Sequence, residues 1–163
     1  MEELKITLNN SEDIKRFYVY TKDGHKTGDY LEFDLEDIEL LDKLEKAQEE
    51  IIKNHNWIKG QLVIIDKKQD FKDKNKIMSN NERLKYEAIK TFYKNQRNAY
   101  ELFLGENGVD KLLYGRKFEW NTLREIDDII LNQIKPELNI SMKNITEKIK
   151  KNYKNKEEIE VLE

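Results

Sequence analysis

The imidazoles of His25 and His55 are the side chains best suited to acid–base work near neutral pH. Either would need a second polar group and a shielded setting that tunes its pKa. His25 falls in a turn, where a solvated ring is the ordinary case. His55 falls on the seam of a helix, where a partly buried, hydrogen-bonded ring is the ordinary case. From Asp23 to Asp34 the order of residues copies a calcium loop, with Asp23, Gly28, Asp29 and Asp34 in the first, sixth, seventh and twelfth places. His25 stands where a carboxylate or amide belongs, the closing residue is Asp where a bidentate Glu belongs, and the flanks read as strands. A plain hairpin explains the stretch better. Gly105-Glu-Asn-Gly108 has the spacing of the phosphate-clamping loop of KH domains, yet Glu106 and Asp110 oppose an anion, and helix punctuation accounts for both glycines. There is no P-loop, Rossmann fingerprint, His-Glu-x-x-His pair or Gly-x-Ser-x-Gly elbow. Carboxylates are plentiful, but no spacing singles out a pair. No catalytic residue, metal ligand or cofactor is assigned, and the chain is expected not to be an enzyme.

Composition narrows the remaining classes. In 163 residues, 37% are hydrophobic and 39% charged, so the core must be built from narrow helix stripes. The 30 basic and 33 acidic residues are interspersed, giving a formal charge of -3 and no basic face for nucleic acid. Cysteine is absent, which removes disulfides, thiolate chemistry and Cys-ligated zinc. No apolar run approaches the roughly 18 residues of a membrane span, and Met1-Glu-Glu-Leu-Lys5 lacks a signal-peptide core. The expected location is the cytoplasm. One proline and six glycines leave little room for a linker, so residues 1–163 are expected to form one domain.

The elements that would position any site are legible as periods. Residues 1–33 are β-like. Leu4-Lys-Ile-Thr-Leu8 alternates, and Phe17-Tyr-Val-Tyr20 and Tyr30-Leu-Glu-Phe33 flank the turn signal Asp23-Gly24. A hairpin or three-stranded meander follows, in need of a covering helix. Residues 34–151 are helical. Asp34 is placed as N-cap of a first helix. Its seam carries Leu44, Ile51, Ile58 and Ile65, spaced by seven, with Gln48, His55 and Leu62 on the alternate line. The phase predicts one helix to about Lys67, longer than about 25 residues, with a break between Asn56 and Gly60 as the alternative. Asp66–Met78 reads as a loop. Ser79-Asn-Asn-Glu82 is a capping box opening a second long helix, which runs through Ala88, Phe92, Gln96 and Phe103 to an αL cap at Gly105. A short helix to about Tyr114 follows. Thr122-Leu-Arg-Glu125 reads as a second capping box, Pro136 as a helix end and Ser141 as the start of a last helix carrying Met142, Ile145 and Ile149. Residues 152–163 form a charged tail expected to fray. The fold class is α+β, predominantly α-helical, with four to five helices, two of them long.

Several of these stretches together resemble a known family. They are Phe17-Tyr-Val-Tyr-Thr-Lys-Asp-Gly24, Gly28-Asp-Tyr-Leu-Glu-Phe-Asp-Leu-Glu-Asp-Ile-Glu39, Leu62-Val-Ile-Ile-Asp-Lys-Lys-Gln-Asp70, Phe103-Leu-Gly-Glu-Asn-Gly108 and Asn139-Ile-Ser-Met-Lys-Asn-Ile-Thr-Glu-Lys-Ile149. The pattern resembles small proteins encoded in the tail-gene clusters of phages and phage-tail-like particles from low-GC Gram-positive bacteria, which look like tail assembly chaperones. In that family a Gly-Asp-Arg-like turn commonly follows the glycine-punctuated segment. In Tyr114-Gly-Arg-Lys-Phe118, Gly115 and Arg116 match and the acidic residue does not. The resemblance implies a non-enzymatic viral or prophage protein that binds the tail-length ruler (tape measure) protein, the tube subunit, or both, in the cytoplasm of the bacterial host. The rival reading is a structural tail protein retained in the particle.

The expected partner surface is Tyr100, Leu104, Leu112, Leu113 and Tyr114, where the chain turns at Gly105 and Leu112 and Leu113 point about 100° apart. Either an apolar cleft stays open there, or Ile145 and Ile149 of the last helix fill it. Through such residues the chain is expected to bind a helical partner or to self-associate, with no role for nucleic acid or membrane.

Overall fold

Phe17, Val19, Leu31 and Phe33 alternate with polar and tyrosine positions, which gives a β-ribbon one apolar face. In a computed structural model describing residues 3–8 and 14–162, with side chains described to Asn152, that ribbon is a two-stranded antiparallel hairpin. β1 (Ile14–Tyr20) pairs with β2 (Lys26–Asp34), Phe17 opposite Leu31 and Tyr18 opposite Tyr30. Asp23 and Gly24 make the turn, where Gly24 N–H donates to Thr21 O at 3.0 Å and Thr21 N–H to His25 O at 2.8 Å. Past a register shift between Tyr18 and Tyr20, the Thr27 hydroxyl donates to Val19 O at 3.0 Å. No third strand joins among the described residues. Leu4, Ile6 and Leu8 alternate as a strand should, yet they are irregular and almost fully exposed. Alternation supplies an apolar face but not a pairing partner, and an unpaired extended segment has no ladder to hold it.

α1 (Glu39–Asp66) is a single helix of 28 residues, so Leu62–Ile65 is helical and Gly60 is passed without a break. Its start differs from the expectation. Asp34 closes β2, and its carboxylate accepts from Glu36 N–H at 3.1 Å. Asp37 accepts from Glu39 N–H at 3.0 Å just ahead of the helix, whose N-cap position, Ile38, makes no side-chain cap bond. The line of Leu44, Ile51, Ile58 and Ile65 faces the core. Of the alternate line, Leu62 packs against the core and His55 is half-buried, but Gln48 is exposed, and Leu40, Ala47 and Asn54 are buried on the other side of the seam.

α2 (Asn80–Leu104) opens with both halves of the capping box. Glu82 N–H donates to Ser79 Oγ at 3.1 Å, and Ser79 N–H to Glu82 Oε2 at 3.3 Å. Asn81 bonds the Ile65 carbonyl at the loop end, and Asn54 bonds Gln96 further on, so α1 and α2 run antiparallel. Gly105 ends α2 at φ +89, ψ 170, a region open essentially to glycine, where an αL cap was expected. α3 (Gly108–Leu113) folds straight back onto the end of α2, with Val109 and Leu113 buried.

α4 (Trp120–Ile129) begins two residues before the expected Thr122. Glu119 is the N-cap, and Thr122 is its reciprocal partner, accepting from Glu119 N–H at 2.9 Å. Pro136 does not end the helix. A π turn, Ile130–Ile134, leads directly into α5 (Lys135–Leu162). Lys135 N–H reaches back five residues to Ile130 O. In an uninterrupted α-helix the proline ring would strike the carbonyl four residues back, and the wider turn just before it supplies room. Ser141, expected to start a helix, lies inside α5 and donates to Leu35 O at 2.7 Å. α5 remains helical backbone through Leu162, across the stretch expected to fray.

The protein is thus α+β and mostly helical: a hairpin, then helices α1, α2 and α3, then one long helix interrupted by the π turn. The core runs from Leu31 and Phe33 through Phe92, Tyr100 and Phe103 to Leu123, Ile134 and Leu138. Phe33 stacks on Phe103 with centroids 5.2 Å apart, which seats the hairpin on α2.

Candidate functional site

The five residues expected to form a partner surface do not stay together. Tyr100 is completely buried, and Leu104 and Leu113 are core residues. The reason is α3, which folds back so closely that a Cβ on Gly108 would lie 2.6 Å from Leu104 Cβ. Leu112 is half-buried against the core, and only Tyr114, 54% exposed and in the αL region at φ 45, faces solvent. Ile149 is exposed and fills no cleft there, and Leu112 lines a hollow with Phe17, Leu31 and Ile129.

Tyr100 belongs to a buried polar chain that the sequence did not announce. Asn54 Nδ2 donates to Phe92 O at 2.9 Å and to Gln96 Oε1 at 3.0 Å. Gln96 Nε2 donates to Tyr100 Oη at 3.1 Å, and Tyr100 Oη contacts Leu123 O at 3.1 Å and the Asp127 carboxylate. Burial pushes the Tyr100 phenol well above its ordinary range, so it stays a neutral donor. Burial also raises the Asp127 carboxyl, against the Tyr100 hydrogen bond and the nearby His55 and Arg124. These groups tie α1, α2 and α4 together. His55 sets its ring edge-on to Phe92 at 5.2 Å, and His25 is exposed in the hairpin turn. Among the described residues no group of acidic or imidazole side chains is arranged to hold a metal ion, and no helix is long and apolar enough to cross a membrane.

Two surfaces present apolar side chains on rigid supports. The first is the α1–α2 loop. Asp70 Oδ1 accepts from Phe71 N–H at 2.8 Å and Asn81 N–H at 3.0 Å, and these bonds hold its carboxyl below the ordinary aspartate range, the Asn81 bond foremost. Asn81 Nδ2 donates to Lys68 O at 2.9 Å and to Ile65 O at 3.3 Å, closing the end of α1. On this stapled loop Phe71 is 61% and Ile77 93% exposed, among Lys67, Lys68, Lys72, Lys74 and Lys76.

The second surface is a groove of about 510 Å³ along one flank of the α1–α2 pair. Trp57 and Leu102 are its exposed apolar walls, Ala99 and Asn54 lie buried at its base, and Lys46 and Lys53 line the α1 side. The small Ala99 lets the two helices approach, and α4 leaves this flank open by packing against the opposite, Tyr100 side of α2. The seven-residue phase of α1 could have located the groove, because Lys46, Lys53 and Trp57 fall on one flank of that phase.

No protein-family model, curated protein or solved structure matches this chain.

Proposed function

We infer that the chain is a non-catalytic protein-binding chaperone of phage tail assembly, engaging the tail-length ruler protein, the tube subunit, or both. The resemblance of its motifs supplies the tail context. The observation that carries the binding role is the outward display of Phe71 and Ile77 on a loop stapled by Asp70, Ser79 and Asn81. Such a loop is already ordered, so little entropy is lost when a partner covers it. Burying either side chain is worth about 2 kcal/mol. A ruler protein that is long and helical exposes apolar seams before the tube encloses it, and an apolar, lysine-rimmed loop suits a seam flanked by acidic residues.

Co-sedimentation of the full chain with ruler and tube fragments tests the inference. Binding that falls at least tenfold in Phe71→Ser/Ile77→Ser, with the circular dichroism unchanged, is expected. A chain that ignores both fragments overturns it. Mass spectrometry of purified particles separates the chaperone from a retained tail protein: a chaperone is absent from the finished particle.

A further inference from the structure

Resting on the protein-binding reading above, we propose that the open groove between α1 and α2 receives an amphipathic helix with acidic flanks from a partner protein. Three observations at the groove agree. Its walls, Trp57 and Leu102, are large apolar side chains left partly in water, 36% and 40% exposed, on two antiparallel helices. Two packed helices leave a third position open beside their seam, and a helix laid there is the ordinary way to cover such walls.

The second observation is Asn54. It is 94% buried by its 6% exposure, and its amide nitrogen is fully used on Phe92 O and Gln96 Oε1. Its Oδ1 has no hydrogen-bond partner. A buried carbonyl oxygen without a donor costs about 1–3 kcal/mol. The oxygen is out of reach of water, so a donor side chain on an incoming helix, such as Gln or Asn, reaches it only with a small shift of the Asn54 side chain. One that does relieves that cost and fixes the register, as a lone polar residue does in a coiled-coil seam.

The third is charge. Lys46 and Lys53 line the groove, with Glu50 between them, and neither lysine forms an ion pair among the described residues. They favour carboxylates on the rim of the occupant. Up to Asn152, α5 carries Lys135, Lys143, Lys148, Lys150 and Lys151 against Glu137 and Glu147, so this stretch is a poor match for the rim. From Lys46 to Trp57 the groove follows α1 for about 16 Å, or three helical turns.

Trp57 is its own reporter once Trp120, on α4, is replaced by Phe. The probes are two capped helical peptides of about 21 residues sharing one leucine stripe and a central Gln, one flanked by Glu and the other by Lys. Saturable change in Trp57 emission is expected with the Glu-flanked peptide, at least tenfold tighter than with the Lys-flanked one. Leu102→Asp and, separately, Lys46→Glu/Lys53→Glu are expected to weaken it at least tenfold, the charge reversal also favouring the Lys-flanked peptide. All these positions are exposed, and circular dichroism checks each fold. Equal binding of both peptides, or binding that ignores Leu102→Asp, overturns the assignment. So does self-association of the full chain that Leu102→Asp abolishes, since a second copy then fills the groove. Ruler binding that survives loss of peptide binding also overturns it while leaving the chaperone function standing. Peptide binding without any ruler or tube binding supports the groove and removes the chaperone function.

Discussion

Asn54 on α1 and Gln96 on α2 meet by an amide–amide hydrogen bond of 3.0 Å, at a level where both helices otherwise bury apolar side chains. Gln96 passes the contact on to Tyr100, and Tyr100 to α4. A polar layer inside a thin core restricts how the helices can slide, because any other register leaves these groups without partners.

That layer predicts coupled mutational effects. Asn54→Leu leaves Gln96 Oε1 without its donor, and Gln96→Leu leaves the Tyr100 hydroxyl without its donor. Each single substitution is expected to cost about 1–3 kcal/mol in urea unfolding. The double variant is expected to cost clearly less than the sum. Strict additivity would show that the two amides do not act as a unit.

Three glycines should respond to alanine in different ways. At Gly108 the new methyl meets Leu104 Cβ at 2.6 Å, an atom fixed to its backbone, so a loss of about 1–3 kcal/mol is expected. At Gly105 the space is open but φ is +89, and about 1–3 kcal/mol of strain is expected. At Gly60, in mid-α1, nothing lies within 4 Å and the backbone is helical, so alanine should stabilise by about 1 kcal/mol. Thermal unfolding of the three variants reads all three signs, and a destabilised Gly60→Ala would contradict an unbroken α1.

Two aspartates give stability opposite dependences on pH. Asp70 is held below the ordinary aspartate value by its backbone hydrogen bonds, so the stability it confers is present above that value and lost as pH falls through the lowered one. Asp127 is raised by burial, so its contribution is present below the ordinary value and lost as pH rises through the raised one. Asp70→Asn should therefore flatten the acid limb of a stability–pH curve, and Asp127→Asn the limb above the ordinary aspartate range. The same limb flattened by both variants would refute one of these assignments.

The π turn before Pro136 holds one residue more than an α turn would. Deleting the exposed Asn132 should restore α spacing while driving the Pro136 ring into a carbonyl, at a cost of about 3 kcal/mol. The same deletion combined with Pro136→Ala should return close to the parent stability, because Leu138 and Ser141 keep their faces. If the combined variant is as unstable as the deletion alone, the proline is not the cause of the π turn.

Local chemistry determined much of this protein. The seven-residue phase of Leu44, Ile51, Ile58 and Ile65 was enough to carry α1 through Gly60, because a helix stripe is a property of one segment. Ser79 and Glu82 fixed the start of α2 for the same reason, since a capping box closes within four residues. The Asp23-Gly24 turn set the hairpin. What lay opposite each face was decided only in three dimensions. Leu4–Leu8 alternates like Phe17–Tyr20 but finds no strand to pair with among the described residues. Tyr100 reads as a surface aromatic next to a turn, and it is buried because Asp127 and the Leu123 carbonyl, distant in sequence, receive its hydroxyl. The groove exists because α4 covers one flank of the α1–α2 pair and not the other. Periodicity tells which side of a segment is apolar, whereas burial depends on which other segment arrives there, and that is set by the joint packing of all the elements.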